Sequence, residues 1–498
     1  MNTKALRQKV LDLAIHGKLV PQNPADESAE KLLEKIRAEK AEKIKKGELK
    51  ADKKDSFIFV GSDKRHYEQF ADGTVKDIED EIPFEVPAGW AWCRLPEICL
   101  IPITDGTHQT PTYSDKENGV PFLSSKDVTS GKIDWSKIKY ITKDLHQELQ
   151  KRIAPKKNDI LLAKNGTTGV AAIVEDETIF DIYVTLAVLR PNQNVVYPSF
   201  LLNIINSPFC KNQFNDHLTG IGVPNLHLVD INKTFIALPP LNEQKQITNK
   251  IESYISHIDE IEKNKSDLQN TIKQTKSKIL DLAIHGKLVP QDSSDEPAEE
   301  LLKRIATSDN RPYKKLSEDE VLFDIPSNWI WCYMGDIFNH TTGKALKKSN
   351  NTGTLRKYIT TSNLYWNSFD FTEVRSMYFT AEELEKCTIK KGDLILCNGG
   401  DVGRAAIWNY DYDICYQNHV SRLRPKSEDI DNSYFLYLLM IYKEQGMLNG
   451  KGVGITSLSA NDLLSSVVPL PPLSEQKRIV TKIEELFAQL DTISEQLA

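Results

Sequence analysis

Apolar side chains recur in alternating steps of four and three along one stretch near the middle of the chain. This spacing places them on one face of a helix and is typical of a coiled-coil seam. Asn242 provides a capping residue before the stretch and Gly286 a stop after it, so we expect a helix over about 242–284. The seam residues are Ile247, Ile251, Tyr254, Ile258, Ile261, Leu268, Ile272, Ile279 and Leu282, with interruptions at Lys265 and Thr275.

A second seam of the same kind is divided between the two ends of the chain. Ser474 precedes its first part, in the position that Asn242 has before the central helix. We expect the two seams to pack against each other as an antiparallel two-helix coiled coil. The alternative is that each seam pairs with another molecule. The residues of the second seam are Ile479, Ile483, Leu486, Leu490, Ile493 and Leu497, then Leu6, Val10 and Leu13 at the start of the chain.

Two pairs of matching segments identify the chain as an internal duplication. LDLAIHGKLVPQ occupies residues 11–22 and again 280–291, which are 269 positions apart. LPPLNEQKQI at 238–247 matches LPPLSEQKRI at 470–479, which are 232 positions apart. Twelve consecutive identities do not arise by chance, so the chain consists of two related halves.

The two offsets make this duplication circular. Extending the first offset pairs Met1 with Asn270, and extending the second pairs Ala498 with Ser266. The second copy of the central segment is therefore split between the chain ends. For both halves to fold alike the termini must meet, and we expect an approximate two-fold axis.

The segments between the repeats predict two domains with a common framework. Residues 158–173 match 392–407, and in each copy a short apolar run predicts a strand, followed by a Gly- and Asn-rich turn and a second strand. With a helix predicted in each, we expect α/β or α+β domains of about 150 residues. The predicted elements are strands at 160–163, 170–174, 394–397 and 404–408, and helices at 198–214 and 433–448.

Tryptophans recur in a second match, between 87–93 and 326–332. Because Trp90, Trp92, Trp329 and Trp331 occur in both halves, we expect them in the cores of the domains rather than as platforms for base stacking.

The predicted domain boundaries follow from these matches. Short helices are expected from Ser28 to about Lys46 and from Pro297 to about Ala306. A Lys-rich stretch with little apolar content follows the first and is predicted to be a solvated or mobile linker. The division is 1–46, helices that complete the split repeat; 47–81, charged linker; 82–240, first domain; 241–306, central helical spacer; 307–320, linker; 321–472, second domain; and 473–498, the helix that pairs with the central one.

Charge and composition change this picture little. The formal net charge of -7 does not exclude a DNA-binding protein, because basic residues gathered on one face are hidden in the total by acidic helices elsewhere. With no export signal and no apolar run near about 20 residues, we expect a cytoplasmic protein. The cysteines are scattered without a Cys-x-x-Cys pair and are expected to be reduced: Cys93, Cys99, Cys210, Cys332, Cys387, Cys397 and Cys415.

Repeated and divergent surfaces have different consequences for function. Surfaces that occur twice bind the same partner twice, whereas unlike surfaces contact different things. A duplicated scaffold with two unlike heads is suited to reading an asymmetric, two-part sequence.

The chain resembles the specificity subunits of type I restriction-modification systems. The resemblance is carried by ALPPLNEQKQI and PLPPLSEQKRI before a long helix, by LDLAIHGKLVPQ, and by GIGVPNL at 220–226 and GVGITSL at 452–458. It extends over essentially the whole chain. It implies two target-recognition domains, each of which reads one half of a bipartite DNA site, held at a fixed spacing by the long helices.

The resemblance also implies the partners. Two modification subunits, which methylate adenine, would dock on the scaffold, and restriction subunits would be added for cleavage of double-stranded DNA. S-adenosylmethionine, ATP and Mg are expected on these partners, and no cofactor or metal on this chain. The chain alone is expected to be non-catalytic, and it contains no Asn-Pro-Pro-[Phe/Tyr], no Gly-x-x-x-x-Gly-Lys-[Ser/Thr] and no His-Glu-x-x-His.

The candidate DNA contacts are polar side chains in predicted loops and turns, since such side chains read base edges and hold phosphates. The run from Asp105 to Pro111 resembles a loop found in many such domains. In the first domain the candidates are Thr107, His108, Gln109, Thr110, Tyr113, Lys126, Lys164, Asn165, Thr167 and Thr168. In the second they are Lys344, Lys347, Lys348, Thr361, Asn363, Asn398, Arg404, Asn418 and His419.

Structural roles are the alternative for several of these residues. Asn165 and Asn398 each precede a glycine and suit turns with positive φ. Thr107, His108 and His419 are equally compatible with hydrogen-bonded structural side chains. The glycines of the two Gly-x-Gly runs suit either close packing or a loop near DNA: Gly220, Gly222, Gly452 and Gly454.

Two rival functions make different predictions. A coiled-coil adaptor whose heads bind protein would show no sequence-selective DNA binding and no steep salt dependence. A self-sufficient nuclease or methylase would turn over substrate as an isolated chain. An intermediate case is a chain that binds DNA weakly until its modification subunits close around the duplex.

Overall fold

The computed structural model describes residues 2–51, 55–129, 131–219, 224–310, 312–346, 352–448 and 457–497. The chain divides into two compact units, residues 1–264 and 265–498, which we call the first and the second unit.

The first unit begins with two helices, continues through strands and short helices, and ends in a long helix whose last part belongs to the second unit. Its elements are α1 (Thr3–Ile15), α2 (Ala29–Lys45), β1 (Ser56–Val60), β2 (His66–Phe70), β3 (Val75–Asp77), β4 (Ala91–Arg94), β5 (Thr104–Asp105), β6 (Tyr113–Ser114), β7 (Val120–Leu123), β8 (Lys139–Ile141), α3 (Lys143–Leu149), β9 (Ile160–Ala163), β10 (Ala171–Ile173), β11 (Asp181–Ile182), β12 (Leu186–Leu189), α4 (Pro198–Ile205), α5 (Pro208–Asn215), α6 (Leu228–Ile231), β13 (Phe235–Leu238) and α7 (Leu241–Ile284).

Two four-stranded sheets form the body of the first unit. The main sheet has the order β10-β9-β12-β5, and the second sheet the order β11-β7-β8-β6 with β11 parallel to β7. Strands β9 and β12 are buried at every position, as expected for apolar runs in the centre of a covered sheet. A two-stranded ribbon of β13 and β4 joins this body to α7.

The second unit repeats this plan. Its elements, after the end of α7, are α8 (Ala298–Ser308), β14 (Ile330–Tyr333), α9 (Met334–Ile337), β15 (Phe338–Thr342), β16 (Thr354–Ile359), β17 (Leu364–Tyr365), β18 (Ser368–Phe369), β19 (Arg375–Phe379), α10 (Ala381–Lys386), β20 (Thr388–Ile389), β21 (Leu394–Cys397), β22 (Ala405–Ile407), β23 (Ile414–Tyr416), β24 (Val420–Pro425), α11 (Asn432–Glu444), α12 (Ala460–Leu464), β25 (Val467–Leu470) and α13 (Leu473–Leu497).

The main sheet and the two-stranded ribbon of the second unit correspond strand by strand to those of the first. The main sheet, β22-β21-β24-β15, has the order of β10-β9-β12-β5, and β14 pairs with β25 as β4 pairs with β13. The second sheet again contains one parallel pair, β16 with β23. The mixed α and β content of both domains was therefore predicted correctly.

The framework residues of the repeats are buried in each unit. Trp90, Trp92, Trp329 and Trp331 are all less than a tenth exposed, which confirms the core interpretation. All seven cysteines are unpaired and buried. Within the described ranges no helix is long and apolar enough to cross a membrane.

The predicted charged linker over 47–81 is wrong for most of its length. Residues 56–77 form a three-stranded antiparallel sheet, β1-β2-β3. SFIFV and HYEQF place alternate side chains on one face, and Glu68, buried on that sheet, is bonded by Arg94 at 2.8 Å. The charges that suggested a solvated linker therefore belong partly to a folded element.

Two details of the predicted helices are also wrong. Asn242 and Ser474 do not cap their helices, because α7 starts at Leu241 and α13 at Leu473, one residue earlier in each case. The helix predicted over 198–214 is two helices, since Pro208 starts a new one after a Ser207 cap.

Each unit holds one pairing between part of α7 and a terminal helix. In the first unit Arg7 of α1 bonds Asp259 and Glu262 of α7. In the second, Lys276 of α7 forms an ion pair with Asp491 of α13 and lies 4.9 Å from the centre of the Phe487 ring. Both pairings are antiparallel. Gln22, which follows α1, bonds Glu243 near the start of α7, and Gln291, which follows α7, bonds Glu475 near the start of α13.

The predicted seam is not buried along its whole length. Ile247, Ile251, Ile258, Ile272 and Ile279 are buried as expected. Three residues of the predicted seam stay about two-fifths exposed. These residues are Tyr254 (41%), Ile261 (38%) and Leu268 (39%).

Candidate nucleic-acid interface

The predicted contact loops of the first unit meet at one edge of its main sheet. Because β12 is antiparallel to both β5 and β9, its start lies beside the ends of those strands. The backbone N–H of Lys164 donates to the carbonyl of Thr185 at 2.8 Å, and that of Val184 donates to Thr107 at 3.0 Å. We call this place the reading edge: residues 105–110, 164–168 and 183–185.

A buried ion pair lies at the base of this reading edge. The Lys164 ammonium donates to Asp105 Oδ2 at 2.6 Å, and the two side chains are only 7% and 3% exposed. Burial raises the pKa of the Asp105 carboxyl, but the hydrogen bond and charge of Lys164, with His108, lower it below its ordinary value. Lys164 is therefore committed to Asp105 within the protein.

Asp105 also contacts two exposed side chains, His108 and Arg152. His108 Nε2 lies 3.2 Å from Asp105 Oδ1, and Arg152 donates through a terminal nitrogen to the same oxygen at 2.7 Å. The His108 side chain is 62% and the Arg152 side chain 49% exposed. Arg152 was not among the predicted contacts, because it lies 47 residues from Asp105 in sequence and no motif surrounds it.

The other predicted residues of the first unit fall into two groups. Thr107 is buried and its hydroxyl accepts from the Gln109 N–H at 3.2 Å, and Asn165 donates to Asn225 at 2.9 Å, so both have structural partners. Tyr113 lies apart on β6 under Lys139, and Thr168 is half-buried. The exposed residues are His108, Gln109, Thr110, Tyr113, Lys126 and Thr167.

The turn interpretation holds for the first hairpin and is shifted by one residue in the second. Gly166 has a φ of +73°, as the Asn-Gly turn requires. In the second unit Gly400, with φ +72°, takes this role rather than Gly399. A Cβ on Gly399 would lie only 3.0 Å from the His419 ring. Each turn is held by the loop after it: Leu226 donates to Lys164, and Leu458 to Asn398.

The second unit has an equivalent edge with different chemistry: residues 342–344, 398–404 and 417–419. Lys344 is 7% exposed and donates to Glu383 of α10 at 2.5 Å and to the Tyr378 carbonyl at 2.7 Å. Burial is minor for Glu383, and the hydrogen bond from Lys344 lowers the pKa of its carboxyl. Lys344, like Lys164, is thus bonded inside the protein.

The remaining predicted residues of the second unit are mostly held by structure. Asn363 is buried and its Oδ1 accepts from the Thr360 N–H at 2.9 Å, and Asn398 donates to Ser421 at 3.1 Å. Arg404 donates to the Thr361 carbonyl at 2.7 Å and lies 5.1 Å from the Tyr365 ring centre. His419 is exposed and Asn418 half-buried. Lys347, Lys348, the 220–223 run and the 451–456 run lie outside the described residues.

The repeated motif before the long helices has a structural role that the sequence did not reveal. Glu243 accepts from Trp90 Nε1 at 3.0 Å and from Gln22 at 3.3 Å. Burial raises the pKa of Glu243, while these two hydrogen bonds oppose the shift. Glu475 makes the same contacts with Trp329, at 2.8 Å, and Gln291. We call each three-residue group a latch.

The glycine of LDLAIHGKLVPQ also has one role in both units. Gly17 and Gly286 have φ of +63° and +65°, and a Cβ on either would lie 2.3 Å from a proline, Pro87 or Pro326. No other residue fits this close approach. Among the described residues no group of three or more His, Cys, Asp or Glu could hold a metal ion.

Comparison with known proteins finds one family. The family model described as the type I restriction modification DNA specificity domain matches residues 87–270 and 326–498. These two matches start at the Pro of each Trp segment and include each long-helix motif.

Whole-length relatives agree with the family model. The EcoAI specificity subunit of a type I restriction enzyme from Escherichia coli is 28% identical over 97% of this chain and 89% of its own. The EcoEI specificity subunit, also from Escherichia coli, is 25% identical over 99% and 90%. The HsdS subunit from Thermoanaerobacter tengcongensis, a crystal structure, has a TM-score of 0.53 at 20% identity over 84% of this chain and 93% of that one.

Proposed function

Because the chain belongs to the family of type I restriction-modification DNA specificity proteins, we propose that it is the DNA-recognition subunit of a type I restriction-modification complex. In this role the chain recognises a sequence and leaves catalysis to its partner subunits.

Each unit reads one half of an asymmetric, bipartite site. The observation that carries this proposal is the pair of reading edges, which occupy equivalent ends of equivalent sheets but present different side chains. The first edge carries His108 and Arg152 on Asp105, whereas the second buries Lys344 against Glu383. Unlike donors at equivalent places select different base edges.

Two modification subunits dock on the repeated parts of the chain, and restriction subunits join them. The repeats supply two copies of one surface, which suits two copies of one partner. The modification subunits bind S-adenosylmethionine and methylate adenine, and the restriction subunits bind ATP and Mg. The chain works in the cytoplasm, where the DNA is located and where the cysteines of the chain stay reduced.

The long helices act as the spacer of the two readers. In this proposal α7 pairs with α1 along its first part and with α13 along its last part, the termini meet, and an approximate two-fold axis relates the halves. The ion pairs of Arg7 and Lys276 support the antiparallel pairing of α7 with α1 in the first unit and with α13 in the second. A fixed spacer explains why the two half-sites would be separated by a constant number of unread base pairs.

Sequencing of modified bases in genomic DNA tests the proposal. Cells that carry this chain with the methyltransferase subunits encoded beside it should contain methylated adenine in one bipartite motif with two unlike halves. The control is the same strain with only this chain deleted, which should lose the motif completely. A motif that persists after the deletion, or no motif in either strain, contradicts the proposal and favours an adaptor function.

A further inference from the structure

Arg152 lies three residues beyond the end of α3, and its guanidinium is held from one side by a single residue of the reading edge. Its Nε donates to the Asp105 carbonyl at 3.1 Å and a terminal nitrogen donates to Asp105 Oδ1 at 2.7 Å. Both bonds use the same edge of the planar guanidinium. In the described part of the chain the other terminal nitrogen has no partner, and the side chain is 49% exposed.

The anchor that holds Arg152 is rigid. Asp105 is 3% exposed, and its second oxygen is bonded by buried Lys164 at 2.6 Å. Lys164 is itself fixed, since its backbone N–H donates to Thr185 and its carbonyl accepts from Leu226. A guanidinium tied to such an anchor loses less conformational freedom on binding a ligand than a free arginine does.

The unbonded N–H groups of the Arg152 guanidinium lie at the reading edge, beside exposed polar side chains. His108 shares Asp105 Oδ1 with it, and Gln109 and Thr110 follow His108 along the exposed loop. Two parallel N–H donors match a ligand with two adjacent acceptors, which in DNA are guanine O6 and N7 or a pair of phosphate oxygens.

The second unit places its cation differently. Lys344 follows β15 as Thr107 follows β5, and it pairs with Glu383 of α10, the helix that corresponds to α3. In the first unit the acidic partner is at the strand end and the basic partner follows the helix, whereas in the second unit the basic partner follows the strand and the acidic partner is in the helix. Lys344 is 7% exposed, whereas Arg152 is 49% exposed, so of these two cations the accessible one belongs to the first unit.

We propose that Arg152 is a DNA contact of the first half-site, with Asp105 as the residue that orients it. This inference rests on the proposed function. Its ligand is a pair of adjacent acceptors on the DNA, either a guanine edge or a phosphate.

The test compares Arg152→Ala and Arg152→Lys with a matched control, Arg65→Ala. Arg65 is 45% exposed and bonds Asp77 at 2.9 Å on the β1-β2-β3 sheet, outside the reading edge. Each variant is assembled with the modification subunits, and two quantities are measured: the methylated motif in cells and the salt dependence of binding to a duplex that carries the wild-type motif. Removing Arg152 leaves Asp105 bonded to Lys164, so the core stays paired.

A guanine contact and a phosphate contact give different results. If Arg152 reads guanine, both variants lose about 10- to 100-fold of the preference at one position in one half-site, since lysine cannot form the same fork. If Arg152 holds a phosphate, Arg152→Ala weakens binding equally at all sites and lowers the salt slope by about one, and Arg152→Lys restores both. Either result supports the inference.

The inference is overturned if Arg152→Ala matches Arg65→Ala in both the motif and the salt slope. Should the melting temperature of Arg152→Ala fall, Arg152→Gln replaces it, because its amide keeps one donor toward Asp105. Failure of the proposed function is separate, since it would remove the bipartite motif from the wild-type strain as well.

Discussion

The two units share a frame and differ at the reading edge. In the first unit the acidic partner, Asp105, ends a strand and the basic partner, Arg152, follows a helix. In the second unit the basic partner, Lys344, follows the strand and the acidic Glu383 lies in the helix. One backbone plan therefore tolerates opposite charge arrangements at the place where the proposed reading occurs.

The frame, by contrast, repeats down to single hydrogen bonds. Asp159 accepts from Nε and one terminal nitrogen of Arg190 at 2.8 and 2.7 Å, and Asp393 accepts from the same two nitrogens of Arg424 at 2.7 and 2.6 Å. This aspartate–arginine pair recurs because it holds the start of a central strand, β9 or β21, and does not bind a ligand. A side chain that is the same in both units thus indicates a structural role, and one that differs is a candidate reader.

The largest expected effect comes from breaking this repeated ion pair. Asp159→Ala and Asp393→Ala should each lower the free energy of unfolding by about 3–5 kcal/mol, because each leaves a partly buried arginine without its partner. Asp159 and Asp393 are 1% and 3% exposed. Urea unfolding of the whole chain measures both.

The exposed Asp176→Ala serves as the control, with a change within about 0.5 kcal/mol. If one of the two buried substitutions had no more effect than this control, the frames of the two units would not be equivalent.

A smaller effect is expected from the buried carboxyl of Glu97 in the first unit. Burial raises the pKa of Glu97 to about 7, against the opposing charge of Arg37. The folded state therefore binds the proton more tightly than the unfolded state, and stability falls as pH rises from about 4.5 to 7. This group alone should lower the free energy of unfolding by about 3 kcal/mol across that window.

Glu97→Gln should remove this contribution, and the exposed Glu48→Gln should not. Urea unfolding at several pH values between 4.5 and 7 provides the comparison. An unchanged pH dependence in Glu97→Gln would mean that the carboxyl ionises as an ordinary glutamate in the fold.

The smallest effect concerns the two latches. Glu243→Ala and Glu475→Ala should each cost about 2 kcal/mol, because the indole N–H of Trp90 or Trp329 loses its acceptor in a buried place. Glu→Gln at the same positions keeps an acceptor oxygen and should cost less. Thermal unfolding followed by tryptophan fluorescence measures all four variants, and a clear difference between the two latches would argue against one shared frame.

Repetition explains which parts of the fold the sequence predicted. Some positions recur in both halves, such as Trp90 and Trp329 or the strand at Ile160–Ala163. Local sequence pattern and burial determine their structure, so the duplicated sequence segments were enough to predict them. The sheet at 56–77 follows a Lys-rich run and has no counterpart among the described residues of the second unit. Its alternation was therefore hidden by neighbouring charge.

The reading edge was predicted less well, for a different reason. Residue type marks Lys164 and Lys344 as phosphate ligands, but burial against Asp105 and Glu383 depends on contacts far along the chain. Arg152 was missed because only the folded structure brings it to Asp105. Whether the predicted residues touch DNA stays a prediction.

The central claim is that the two readers are interchangeable modules on one frame. Matching hydrogen bonds mark their boundaries: Leu95 N–H donates to Thr234 at 3.0 Å, and Met334 N–H donates to Ser466 at 2.9 Å. A chimera in which residues 334–466 replace residues 95–234 would carry the second reader twice.

Sequencing of methylated adenine in cells that express this chimera with the modification subunits is the most direct test. We predict a symmetric motif in which the second half-site occurs twice in inverted orientation, with the first half-site lost. Persistence of the original asymmetric motif would contradict the account, because the first half-site would then be read by residues outside 95–234.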